Sequence, residues 1–260
     1  MDQSALDKLL FDLQLGPLRY FHQIGSTNDE ALLWAKEGAP DLSVILADEQ
    51  TAGRGRGQRG WHTPPGAALA FSVIIHPTGV DEYEYIPRLA GLGALAVTRA
   101  LKKNYDLAAQ IKWPNDVLVN HQKLSGILGE AHWIGDQLTA LILGIGVNVS
   151  PESVPQDVDY PATCVETVYG EQIDRAELFH DILAELIFWR SKLTSREIIK
   201  SWESELAFQG EWIQLVTESE PPLIGLILGL RPDGSLRIRT PNNEERTIRA
   251  GEIHLRPVDK

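Results

Sequence analysis

Two apolar runs rich in strand formers, SVILADEQ (43–50) and ALAFSVIIH (68–76), bracket the segment QTAGRGRGQRGW at 50–61. No other feature restricts the fold as much. Glycines let a backbone pass close to a ligand and turn its N–H groups toward it. The interleaved Arg54, Arg56 and Arg59 offer forked, permanently charged donors suited to phosphate or carboxylate. Arginine–glycine runs also occur in RNA-binding tails, but this one is short and tied at both ends to runs that read as core strands. Two readings stay open: a mobile solvated loop, or an anion clamp that orders when ligand binds. The segment is neither a GxxxxGK[ST] loop nor a GxGxxG turn of a dinucleotide fold.

Around this loop the chain reads as alternating helices and strands. Leu6, Leu9, Leu10 and Leu13 recur at helical spacing, which predicts an amphipathic helix over 4–15 ended by Gly16-Pro17. LRYFHQIG predicts a strand. The cap-forming cluster Ser26-Thr27-Asn28-Asp29-Glu30 then opens a helix to about Gly38. A long buried helix is expected over 86–103 with Pro87 in its first turn. AQIKWPNDVLVN enters as a strand and turns at Pro114-Asn115-Asp116. Hairpin turns are expected at Asn120-His121 and Gly135-Asp136, and a strand over 138–149. Residues 150–163 read as a loop, followed by helices at about 174–192 and 195–207. Beyond Gly210 the runs EWIQLVT, LIGLILGLR, SLRIRT and ERTIRAGEIHL are short strands. Turn signals at Pro221-Pro222, Pro232-Asp233-Gly234 and Pro241-Asn242-Asn243 divide them, which suggests a small SH3-like barrel. The fold class is therefore α+β: a mixed sheet with helices over 1–208, and a β-barrel domain over 209–260.

Composition narrows the function. The chain has 260 residues with 43% apolar and 23% charged side chains, as in an ordinary globular protein. A single cysteine, Cys164, excludes an intramolecular disulfide, and no Cys/His set has metal-site spacing. No metal ligand is assigned. The net charge of −12 opposes general binding to a polyanion such as DNA. A local cationic spot on an acidic chain points instead to a small anionic ligand. The N-terminus is acidic where a signal peptide would be basic, and the apolar stretch 138–149 is too short to span a bilayer. A cytoplasmic protein is expected.

Three further segments carry chemistry. Ile111-Lys112-Trp113-Pro114-Asn115-Asp116 gathers a cation, an indole, an amide and a carboxylate around a proline turn; a rigid surface turn is the plain alternative. Lys123 lies among apolar residues in QKLSGIL, where an ammonium is costly unless it reaches an anion or snorkels to solvent. Gly126 and Gly129 on the same run fit close approach of a ligand or a neighbouring backbone. In LGIGVNV a packing seam explains the glycines as well as a ligand does, and Asn148 is either a site amide or a loop cap.

Taken in order, GSTNDEA (25–31), ADEQTAGRGRG with Trp61 (47–61), KWPNDVLVNHQKLSGIL (112–128) and LGIGVNV (143–149) resemble the biotin–protein ligase family. The similarity continues through ATCVETVYGEQIDRAELFHDILAEL and DGSLRIRT…IRAGEIHLRPV, so it covers nearly the whole chain. The resemblance implies a core like those of class II aminoacyl-tRNA synthetases and biotin ligases. It also implies ATP-dependent formation of biotinyl-AMP, with Mg²⁺, and transfer of biotin to a lysine of a biotin carboxyl carrier protein. It places Ser26, Thr27 and Asn28 on the ureido ring of biotin, with Gln50 and Gly53 lining the pocket. Arg54, Gly55 and Arg56 belong to a loop over the adenylate, with Arg56 and Arg59 near its phosphate. Trp61, Asn115 and Asn148 lie at the nucleotide end. Lys112 and Lys123 counter the carboxylate and α-phosphate, Gly126 and Gly144 make room for ligand, and Asp116 orients or deprotonates the acceptor lysine.

Where family members commonly continue GRGRRGR, this chain has Gly57-Gln58, with Arg59 keeping a cation close by; retention of the adenylate is the property this touches. Some members begin with a helix-turn-helix domain. Here the first motif starts at Gly25, so no DNA-binding domain and no operator binding are expected, and homodimer formation is left open. A lipoate–protein ligase of the same fold is the nearest alternative. A non-catalytic module that binds biotinyl-AMP or carrier is the other.

Overall fold

The computed structural model describes residues 1–77, 82–156, 160–217, 222–249 and 253–257. Its centre is a seven-stranded mixed sheet in the order β1-β2-β3-β7-β6-β5-β4. The strands are β1 (Leu18–Ile24), β2 (Val44–Gln50), β3 (Ala68–Ile75), β4 (Gln110–Lys112), β5 (Asp116–Val119), β6 (Gln122–Ile134) and β7 (Gln137–Asn148). β1 and β2 are parallel and joined by helix α2 (Thr27–Lys36); the other neighbours are antiparallel. The β5–β6 hairpin turns on Asn120 and His121, both at positive φ (50° and 61°), the geometry a tight hairpin of matching twist requires.

Alternation along the strands decides which face each residue serves. Val44, Leu46, Leu69, Phe71, Val73, Leu141, Leu143 and Ile145 enter the main core with α3 (Glu82–Tyr105) and α5 (Arg175–Arg190). Ile45, Ile74, Ala140 and Ile142 face the other side, under Ala31 and Trp34 of α2. That second face does not stay apolar. Ser72, Gly144, Gly146 and Asn148 continue its parity with small or polar side chains, all at the end of the sheet where α2 begins. There the sheet stops packing and begins to form a site.

Some expected boundaries moved. Helix α1 is Gln3–Leu9, with Asp2 Oδ1 accepting from Ala5 N, and does not reach residue 15. Pro17 disfavours a helical residue before it, and Gly16 N is already bonded to Leu42 O at 3.0 Å, so 11–15 leave the helix to meet the sheet. Helix α3 begins four residues before the expected 86, so Pro87 lies beyond its first turn and forfeits a single backbone bond there. Helix α4 (Val165–Tyr169) was not expected; so short a helix shows no periodicity. Helix α6 (Arg196–Ser204) stops before 207 because the chain turns aside to pair with β4, through Ile111 N to Glu205 O (2.7 Å) and Ala207 N to Ile111 O (2.9 Å). The expected loop at 150–163 contains a 3-10 turn at Pro151–Ser153, and its residues 157–159 lie outside those described.

The C-terminal strands β8 (Trp212–Thr217), β9 (Leu223–Leu230), β10 (Leu236–Arg239), β11 (Glu245–Ile248) and β12 (Ile253–Pro257) form an antiparallel, SH3-like sheet in the order β11-β10-β9-β8-β12. The expected run ERTIRAGEIHL divides into β11 and β12, and its residues 250–252, like Pro221, lie outside those described. Ile213, Leu215, Ile227, Leu236 and Ile238 join the main core, so the C-terminal sheet is packed on the rest of the chain. Polar ties reinforce this: Arg88 donates to Pro232 O and Leu193 O, and Trp113 Nε1 to Gly234 O at 3.0 Å. Among the described residues no helix is long and apolar enough to cross a membrane.

Candidate functional site

A cavity of about 470 Å³ opens at the polar end of the second sheet face. One wall is the N-terminus of α2, where Ser26, Thr27 and Asn28 are all buried. Ser26 stands at the N-cap position without making a side-chain cap bond. Thr27 donates to Gln50 Oε1 through its N–H (2.8 Å) and its hydroxyl (3.1 Å), while Gln50 Nε2 donates to Thr63 Oγ1. The hydroxyl of Ser72, on β3, lies 2.6 Å from Asn28 Oδ1 and 2.8 Å from Thr27 Oγ1. Asn28 Oδ1 can only accept, and Thr27 has Gln50 as its acceptor, so the single Ser72 proton goes to Asn28. Asn28 Nδ2 donates to Glu130 Oε2 at 2.7 Å. Both ends of this amide are therefore fixed in orientation.

Cations gather at the other end. An irregularity in the β5–β6 ladder at 123–125 leaves Leu124 without a paired partner on β5, a device that re-aims neighbouring side chains. Lys123 Nζ meets Asp116 Oδ1 at 2.7 Å and stands 5.6 Å from the Trp61 ring. Lys112, buried at the end of β4, holds its Nζ 3.7 Å over the Tyr160 ring. Burial, helped by the negative charge of Asp116, raises the Tyr160 hydroxyl pKa, so that phenol stays neutral. Arg56 Nη1 donates to Asn115 Oδ1 (3.0 Å), and Asn115 Nδ2 donates to Ile127 O (2.8 Å). The Trp61 indole lies against Gly126 and Gly146, and its Nε1 has no hydrogen-bond partner among the described residues.

The glycine–arginine loop is folded. Trp61 N bonds to Gly53 O (2.8 Å) and Gly55 N to Arg59 O (2.7 Å), making a short antiparallel ladder around a 3-10 turn at Arg56–Gln58. Arg54 reaches away from the cavity centre. Its guanidinium grips Glu130 through both oxygens (2.9 Å each) and Asp29 Oδ1 (2.6 Å). These bonds, Glu130 first, raise the Arg54 pKa further.

The residues singled out from the sequence meet at this cavity, except for Gly53 and Gly129. Ser26, Thr27, Asn28, Gln50, Arg54, Gly55, Arg56, Arg59, Trp61, Lys112, Asn115, Asp116, Lys123, Gly126, Gly144 and Asn148 all line it. Gly53 stands off the wall; a Cβ there would lie 2.6 Å from Trp61 O and 2.9 Å from Gln50 Nε2, so its bareness serves the loop's own packing. Gly144 makes room for Asn28, since a Cβ would come within 2.9 Å of Asn28 Cγ and closer still to Oδ1. Gly129 packs on Leu89. Asn148 donates to Thr163 O (3.0 Å), which ties down the following loop while its side chain borders the cavity. Sequence reasoning missed Ser72, Thr63, Glu130, Gly146 and Tyr160. Ser72 and Glu130 carried a signal, as lone polar residues in strand-like runs on the parity of Gly144 and Gly126. Tyr160, in an irregular loop, carried none.

Comparison with known proteins gives a consistent picture. Residues 20–148 match the biotin/lipoate A/B protein ligase family. The chain is similar to the bifunctional ligase/repressor BirA of Bacillus subtilis, with 34% identity over 245 residues, 92% of this chain and 74% of that protein. It is also similar to the biotin–[acetyl-CoA-carboxylase] ligase of Paracoccus denitrificans, with 35% identity over 237 residues, 88% and 96% of the two chains. Among solved structures, the biotin protein ligase of Aquifex aeolicus in complex with biotin and ATP superposes with a TM-score of 0.81 at 28% identity, over 93% of this chain and 99% of that one.

Proposed function

This chain belongs to the biotin–protein ligases of the biotin/lipoate A/B protein ligase family, and on that premise we infer what each wall of the cavity does. The protein activates biotin with ATP to biotinyl-5′-AMP and transfers the biotinyl group to a lysine of a carrier protein, releasing AMP. The observation that carries the assignment of roles is the division of one cavity. Hydroxyls and amides stand at one end, and Lys112, Lys123 and Arg56, from different strands and a loop, converge at the other.

The neutral end, Ser26, Thr27, Asn28 and Gln50, takes the ureido ring, whose N–H and C=O groups need fixed polar partners in a dry site. Arg54, Gly55, Arg56 and Gly126 border the biotin chain, and Arg59, Trp61, Asn115 and Asn148 the nucleotide. A biotin carboxylate oxygen attacks the α-phosphorus of ATP and pyrophosphate leaves. Two anions must approach, and Lys112, Lys123 and Arg56 offset the repulsion and the charge that builds in the transition state. Lys123 already holds an anion, Asp116, and exchanges it for substrate oxygens. Freed of Lys123, Asp116 accepts the proton of the incoming carrier ammonium, whose neutral amine then attacks the acyl carbon as AMP departs. The mixed anhydride is water-sensitive, so the folded loop over 53–61 protects it.

Among the described residues no three His, Cys, Asp or Glu side chains gather to hold an ion, and the cavity carboxylate Asp116 is engaged by Lys123. The donors present do not make a protein-held metal site, and Mg²⁺ would come with ATP, where it would offset the charge of the phosphates. The reading includes a division into a catalytic part over 1–208 and an SH3-like part over 209–260, supported by the two separate sheets. It also includes a biotin carboxyl carrier subunit as acceptor and a cytoplasmic setting. No operator binding is part of it, and the net charge of −12 supports that.

The test mixes purified protein, ATP, Mg²⁺, radiolabelled biotin and a carrier domain. Covalent label on the carrier, lost when its acceptor lysine is replaced, is expected; labelling with lipoate but not biotin would overturn the assignment.

A further inference from the structure

Glu130 joins the neutral end of the cavity to the loop at its mouth. Its Oε2 accepts from Asn28 Nδ2 (2.7 Å) and Arg54 Nη2 (2.9 Å), and its Oε1 from Arg54 Nη1 (2.9 Å). Asp29, next to Asn28 on α2, supplies a second acceptor for Arg54. Bidentate arginine–carboxylate pairs combine charge with fixed geometry, and this one is only partly exposed, at 40% for Arg54 and 31% for Glu130. On the loop, Arg54 lies at the foot of the ladder, bridging to Gly60 and flanked by the Gly53–Trp61 and Gly55–Arg59 bonds. Fixing Arg54 fixes the stem from which Arg56 and Trp61 reach into the cavity. On the strand, Glu130 sits opposite Ile142, in a central antiparallel pair that cannot follow a moving loop.

We propose that Glu130 is a positioning residue that clasps the glycine–arginine loop through Arg54 while orienting the Asn28 amide. On this view one carboxylate sets the biotin end of the cavity and its cover together. The inference rests on the biotin-ligase reading and gives Arg54, which borders the biotin chain there, a structural task at the loop's stem. One carboxylate serves both groups, so a ligand that pulls on Asn28 is felt at Arg54. Because the carboxylate touches neither reacting atom, its loss should raise the concentration of biotin needed and leave saturated turnover largely intact.

Three variants separate these effects. Glu130→Gln keeps an acceptor for Asn28 and loses the ion pair, Glu130→Ala loses both contacts, and Arg54→Gln cuts the clasp from the loop side. Two readouts are taken: KM for biotin against kcat in adenylate formation, and the rate of tryptic cleavage after Arg56 or Arg59 in ligand-free protein. Cleavage should quicken about tenfold in all three, the scale of one charge-assisted bond at a partly exposed site. The KM for biotin should rise about tenfold in Glu130→Ala and less in Glu130→Gln, with kcat within about threefold of wild type. Combining Glu130→Gln with Arg54→Gln should quicken cleavage no more than either alone. Wild-type cleavage in all variants, additive effects in the double variant, or a fall in kcat at unchanged KM would each overturn the proposal. If Glu130→Ala fails to fold, the exposed Arg54→Gln variant carries the cleavage test. Failure of the wild-type chain to make biotinyl-AMP would sink the ligase reading and leave the cleavage result to judge the clasp by itself.

Discussion

Replacing Gly144 by alanine tests the architecture of the biotin end with a single methyl group. Its Cβ would lie 2.9 Å from Asn28 Cγ and 3.0 Å from Nδ2, with Oδ1 nearer still, against an ordinary contact distance of about 3.5 Å or more. Something must retreat by about 1 Å. β7 cannot, because Gly144 is paired on both sides, with Ser72 of β3 and Leu128 of β6. Asn28 therefore moves. A retreat of about that size stretches its 2.6 Å bond from Ser72 and its 2.7 Å bond to Glu130 past useful length. A neutral bond contributes about 1 kcal/mol and one to a charged group about 1.5–3. Partial relaxation brings the expected loss to about 2 kcal/mol, or roughly 30-fold in biotin affinity at about 1.4 kcal/mol per decade. The assay is a biotin titration of ligand-free protein by calorimetry, with KM for biotin in adenylate formation as a second measure. Gly25→Ala is the control, since a Cβ there meets nothing within 4 Å. Biotin affinity within twofold of wild type in Gly144→Ala would refute the claim that this glycine exists to accommodate Asn28.

Lys123→Ala should slow biotinyl-AMP formation by about 100-fold or more, and Arg56→Ala should hasten loss of the adenylate; rates equal to wild type in single-turnover experiments would contradict both roles. Trp113→Phe removes the indole bond to Gly234 O and leaves that carbonyl unpaired, so a stability loss of about 1–2 kcal/mol in urea titration is expected, and an unchanged midpoint would show the tie to be idle. The Tyr105 pKa is raised to about 12, by burial and then by the charges of Asp181, Glu177 and Asp174. The unfolded chain gives up this proton first, so the stabilising effect is whole below pH 10 and is lost between about 10 and 12. Melting curves of wild type and Tyr105→Phe should accordingly diverge above pH 10 in favour of the variant, whereas parallel curves would exclude the linkage.

The parts of this fold that could be read from sequence are those in which local chemistry and tertiary position agree. The continuous apolar runs at 44–47, 69–75 and 140–145 name the central strands, and the Asn120-His121 turn names a hairpin without needing a glycine. The helix ends at 9 and 204 escaped because distant contacts decide them: Leu42 receives Gly16, and Ile111 captures 205–207. The site was readable as a set of residue types and only partly as an arrangement. The ammonium of Lys123 needed an anion, which the structure supplies as Asp116, four residues beyond Lys112 on the adjoining turn.

What sequence could not supply is the division of labour between residues that touch ligand and residues that hold those residues still. Arg54 and Arg56 are two positions apart and chemically identical, yet one turns outward to Glu130 and the other inward to Asn115. Residues two apart on one pleated strand would share a face; these two part because Arg54 pairs with Gly60 in the ladder, whereas Arg56 already lies in the 3-10 turn beyond it. The same logic makes Gly144 and Gly146 look alike in LGIGVNV, although one accommodates an amide from α2 and the other the indole of Trp61. Both lie on a single face of β7, two residues apart. The neutral and aromatic walls of the cavity are thus neighbours on one strand, and shifting that strand by a single residue would bury both Cβ-less positions and turn Leu143 and Ile145 into the pocket. On the proposed reading, selection of a compact polar ring next to a charged tail depends on strand register as much as on any individual side chain.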